Sequence, residues 1–73
     1  MDSIPFMHAN RVFTIFFVED LAFREVRAIL DQLLSRDAFA EQAQELQSQY
    51  EIDVEDASFT VWVSEMDVYI QKE

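Results

Sequence analysis

Not one of the 73 residues is glycine, and that absence limits how the chain can turn more than any other feature does. It removes the Gly-rich loops that cradle phosphates, the easy left-handed helix caps and the favoured Asn-Gly and Asp-Gly hairpin turns. Turn chemistry falls to Asn, Asp and Ser. Within those limits the chain is still expected to fold, because 51% of it is apolar, with seven Phe, two Tyr and one Trp. That composition lies far from a disordered acidic tail. Residues 1–73 are read as a single small domain, since a chain of this size buries only roughly 60% of its unfolded surface and has little room for a deep cleft.

The first strand covers Arg11 to Val18, where Val12, Thr14, Phe16 and Val18 alternate with Phe13, Ile15 and Phe17. Both sides of it are largely apolar, as in a central strand. Ile4 to Met7 reads as a short edge strand, turned back through His8, Ala9 and Asn10, and Pro5 suits an edge because it lacks an N–H.

A helix is expected from Leu21 to about Ser35 with Asp20 as its N-cap. At about 100° per residue, Ala22, Phe23, Val26, Ile29, Leu30, Leu33 and Leu34 share one side. Arg24, Arg27 and Asp31 lie opposite. A helical pattern then returns from Asp37 to about Tyr50 through Phe39, Ala43 and Leu46, with its apolar stripe rotated. One straight helix cannot hold both stripes against one core, so Asp37 is expected to cap a second helix. The alternative is one kinked helix over both segments.

Glu51 to Asp56 reads as an acidic connection. Phe59, Val61 and Val63 alternate in a further strand, and Met66, Val68 and Ile70 alternate on the opposite parity, which favours a hairpin at Ser64 and Glu65 over the alternative, a bulge that makes 58–71 one long bent strand. The fold expected is α+β: a small, mostly antiparallel sheet with two helices, or one kinked helix, packed on one face in the order β-α-α-β-β. Ile15, Phe17, Phe59, Val61, Val63, Val68 and Ile70 would meet the first helix. The opposite face would carry Phe16, Val18, Trp62 and Tyr69, covered either by the second helix or by a partner.

Charge is the strongest functional signal. The formal net charge is −10, and nine of the fifteen carboxylates fall between Asp37 and Gln71, a stretch without Lys or Arg. On a helix, Asp37, Glu41 and Glu45 would form a row with steps of ~5–6 Å, the scale on which phosphates follow one another. Glu51, Asp53, Glu55, Asp56, Glu65 and Asp67 would extend that field. Direct binding to a nucleic-acid backbone or an anionic membrane is disfavoured by charge, and single-strand binders pair aromatic platforms with positive grooves, the opposite of this pattern.

Catalysis finds no constellation. The one imidazole, His8, gives neither a His-based metal site nor a Ser-His-Asp partnership, and the absence of Cys excludes disulfides and thiolate zinc sites. The acids from Glu51 to Asp56 lack the offsets and Gly of a calcium loop. No enzyme, cofactor or metal is expected. The chain lacks a signal-peptide pattern and a membrane-length apolar run, so a cytoplasmic protein is expected.

These features together predict a small acidic binding protein that inhibits a basic, nucleic-acid-binding partner by charge mimicry. Phage-encoded anti-CRISPR and anti-restriction proteins of the DNA-mimic kind are similar in charge and size, with no shared motif. The partner-binding residues would be Asp37, Glu41, Glu45, Glu51, Asp53, Glu55, Asp56, Glu65 and Asp67, and Phe16, Trp62 and Tyr69 would form an apolar interface. Alternatives are an antitoxin or immunity protein covering a basic toxin, and a homo-oligomer, such as a homodimer, joined through the apolar sheet face.

Overall fold

Hydrophobic alternation is realised as a five-stranded mixed sheet with one helix packed on it, in a computed structural model that describes residues 2–18, 21–40 and 47–73. The elements follow one another as β1 (Asp2–His8), β2 (Arg11–Phe17), α1 (Phe23–Ser35), β3 (Ser48–Val54), β4 (Ala57–Ser64) and β5 (Asp67–Lys72). Across the sheet the order is β1-β2-β5-β4-β3. The β2–β5 pair is parallel and the other three are antiparallel. The fold class is therefore α+β, with the order β-β-α-β-β-β in place of β-α-α-β-β.

The edge strand with Pro5 is present, and the Ser64–Asp67 hairpin closes through Glu65 and Met66. The expected acidic connection at 51–56 is instead most of β3 and its turn. Tyr50, Ile52 and Val54 point to the core between outward-facing Gln49, Glu51 and Asp53. The second helix is absent from the described residues: 48–50 are strand, and Glu41, Ala43, Glu45 and Leu46 lie outside those described. Period-two alternation with Tyr, Ile and Val outweighed the helical spacing there, because it offers a buried face against β4.

Asp37 ends a helix and does not start one. It takes the left-handed conformation (φ 56°), and its N–H donates to the Leu34 carbonyl while that of Ala38 donates to Leu33. This is the Schellman pattern, and the buried Leu33 and Ala38 supply its usual apolar contact. The helix begins at Phe23, not Leu21, with Ala22 as N-cap; the expected cap, Asp20, is outside the described residues. Glu25 Oε1 accepts from the Ala22 N–H (3.0 Å), which is half of a capping box, and the alanine has no oxygen to return the bond.

Turns meet the lack of glycine by forcing other residues into the left-handed region. Ala9 (φ 52°), Asn10 (63°), Glu55 (56°) and Glu65 (52°) hold the three hairpin loops. Asn and Asp were expected in that role; Ala and Glu have no side-chain remedy for the crowding of Cβ against the backbone.

The core lies between α1 and one sheet face. Val26, Ile29 and Leu33 meet Phe13 and Ile15 of β2, Ile52 of β3, Phe59, Val61 and Val63 of β4, and Val68 and Ile70 of β5. Phe17, expected there, is half-buried, and two members of the expected helix stripe turn out to water: Phe23 is 73% exposed and Leu34 37%. Arg24, Arg27 and Asp31 are exposed as expected. Beyond the helix, Phe39 fills the remaining corner, its ring 5.3 Å from Phe6, 5.0 Å from Phe13 and 5.9 Å from His8. The Phe39 carbonyl accepts from Arg11, whose guanidinium lies 5.4 Å from the Phe13 ring centroid.

Candidate binding face

Register decides what the other side of the sheet displays. Phe16 of β2 is level with Tyr69 of β5, and Tyr69 with Trp62 of β4, so the three expected interface aromatics form one row across the strands. Gln49 of β3 continues the row. On one flank lie Gln71, Thr60 and Glu51, followed by Ser58 and Asp53; on the other lie Thr14, Asp67 and Ser64. Among the described residues no element packs over this row.

Phe16 and Tyr69 stack, with centroids 5.0 Å apart and ring planes 13° apart. Trp62 makes no ring contact with Tyr69, although the two are directly opposed on antiparallel strands. A groove of about 500 Å³ is bordered by Phe16, Tyr69 and Trp62, with Val18, Gln47, Ile70 and Gln71 completing its walls. Tyr69 is 39% exposed, and Met7 and Val12 extend apolar surface along β1 and β2.

Alternation also sorts the charges. All five cations belong to the helix side or to the helix: Arg24, Arg27 and Arg36 lie on or just after α1, Arg11 shares a face with Phe13, and Lys72 is in register with buried Phe59. The open face holds Glu51, Asp53 and Asp67. Glu73 joins them, since its carboxylate, like that of Glu51, converges on the hydroxyl of Thr60 at 3.1 and 3.2 Å. Asp53 accepts from Ser58 Oγ at 2.8 Å. Thr60 is the only buried polar residue among those described.

The nine expected partner-binding acids therefore part company. Glu51, Asp53 and Asp67 share the open face. Glu55 and Asp56 tip the β3–β4 turn at one end of the sheet, and Glu65 tips the β4–β5 turn at the other. Asp37 borders a recess with Arg11 and Phe39 on the helix side. Glu41 and Glu45 are not among the described residues, so no helical row with Asp37 is formed by the residues described. Glu73 was missed, and only its hydrogen bond to Thr60 reveals it. The place of Glu51 and Asp53 was readable in the Gln49–Val54 alternation.

Among the described residues no cluster of acids or His has the arrangement of a metal site, and no helix is long and apolar enough to cross a membrane. Scans of protein-family models, curated proteins and solved structures each returned no match.

Proposed function

We propose that this protein is a small acidic binding module whose open sheet face docks on a basic surface of a protein partner, of the kind that nucleic-acid-binding proteins use for phosphate, and so inhibits that partner. The observation that carries this reading is the sorting of charge: every cation lies on the helix side, and the open face joins carboxylates to an aromatic row over which no described element packs. A one-signed face steers encounter with an oppositely charged surface, and the rings supply area that holds the complex once formed. Phage-encoded inhibitors of nucleases, and antitoxins against basic toxins, both fit this chemistry.

The test compares two triple variants that alter net charge equally. Glu51→Gln, Asp53→Asn and Asp67→Asn strip the open face, whereas Asp31→Asn, Glu55→Gln and Glu65→Gln strip the helix surface and the turn tips. Binding to arginine-rich and lysine-rich polypeptides is expected to weaken steeply with salt and to fall much further in the first variant. Equal losses in the two variants would overturn the reading.

Met7 and Val12 on the same face favour a second reading, self-association through apolar area. A dimer made that way would persist at high salt, and sedimentation velocity at two salt concentrations separates it from the first reading.

A further inference from the structure

We infer that the groove between Trp62 and Tyr69 is an arginine slot, which receives one guanidinium from the partner and makes the open face prefer arginine to lysine. This rests on the proposed function and adds the identity of the side chain recognised.

Three features of the groove select that side chain. Its walls include two large rings, Trp62 and Tyr69, that stand on residues paired in register with no ring contact between them, and Tyr69 stacks on Phe16 on its other side. A planar, weakly hydrated cation fits between ring faces, whereas a compact ammonium keeps its water. The rim carries the amides of Gln47 and Gln71, whose carbonyl oxygens suit a guanidinium fork with five N–H donors. Asp67 on one flank and Glu51 on the other place negative charge on both sides of the row, with no cation of the chain on that face.

A second copy of the chain is the competing occupant, and it is disfavoured because two faces each cation-free and acidic would have to meet, in molecules of net charge −10. A neutral apolar segment would offer the rim amides no donor and leave the flanking negative charge uncompensated.

Trp62 is the sole tryptophan, so its emission reports on the slot directly. The full chain is titrated with three peptides of equal length, rich in arginine, in lysine or in citrulline, whose ureido group keeps the shape of arginine without its charge. The arginine peptide is expected to shift Trp62 emission and to bind roughly fivefold tighter than the lysine peptide, while the citrulline peptide leaves the emission unchanged. Tyr69→Ala removes one wall at a partly exposed position and is expected to abolish the preference, lowering affinity for the arginine peptide much further than for the lysine peptide.

Equal affinity for arginine and lysine peptides, both lost in the open-face charge variant, would overturn the slot and leave the acidic face standing. Binding that is indifferent to that variant would overturn both. A shift of Trp62 emission with protein concentration alone, without peptide, would give the groove to a second copy and overturn the slot.

Discussion

The guanidinium of Arg36 donates to the main-chain carbonyl of Glu51 at 3.2 Å, while the carboxylate of the same glutamate turns to the opposite face and accepts from Thr60. One residue thus receives the nearest arginine on its backbone and keeps its own charge away from it. Gln32, one helical turn earlier, does the same for the carbonyl of Asp53 at 2.9 Å. Four helical residues rise about 6 Å and two strand residues about 6.7 Å, so the helix and the edge strand come into register. Gln32 of α1 and Arg36 just after it thus satisfy two carbonyls on the outer edge of β3, and neither contacts the acidic side chains of the open face.

Removing these edge bonds is expected to weaken the anchoring of β3 to the helix while β3 stays paired to β4 and keeps its acidic side chains on the open face. Gln32→Ala and Arg36→Ala should each lower stability by about 0.5–1 kcal/mol, the low end for hydrogen bonds because both are exposed. Urea denaturation checks the cost, and an unchanged salt dependence of polycation binding checks that the face is untouched.

Glycine should stabilise this protein at its turns. Glu55→Gly and Glu65→Gly replace residues held at φ 56° and 52°, and each is expected to raise stability by about 0.5–1 kcal/mol, since the relief of left-handed crowding exceeds the entropy that Gly adds to the unfolded chain. Thermal unfolding of the two variants and their combination is the measurement. Val54→Gly, inside β3 with no such backbone need, should destabilise instead.

Helix α1 lacks the oxygen that would complete its capping box. Ala22→Ser is expected to add about 0.5–1 kcal/mol by accepting from the backbone of Glu25, and Glu25→Ala to lose a similar amount by breaking the bond to the Ala22 N–H. Chemical denaturation of the two single variants and the double variant shows whether the halves of the box act together.

Phe39 carries the corner that α1 does not reach. Fully buried against Phe6, Phe13 and His8, its truncation to Ala is expected to cost about 3–5 kcal/mol. In a domain of this size that approaches the whole of the stability, so loss of cooperative unfolding by circular dichroism is the expected result.

The order and faces of the residues were legible from the sequence, because period-two alternation is a local property of the strand. It placed Ile15, Phe59, Val61, Val63, Val68 and Ile70 together and Phe16, Trp62 and Tyr69 opposite, and the charge segregation along the chain was visible in composition alone. Strand pairing was not legible. That β5 inserts beside β2, aligning Tyr69 with Phe16, depends on the helix returning the chain so that β3, β4 and β5 fill the sheet from its far edge inward. Asp37 reads as a helix start because a carboxylate favours the N-terminal amides; the packing of Leu33 and Ala38 into one core made it an end instead. Local alternation was enough to say which acids and aromatics share a side of each strand. Tertiary structure decided which of them stand together, because the face that α1 covers takes every cation with it and leaves the other to Glu51, Asp53 and Asp67.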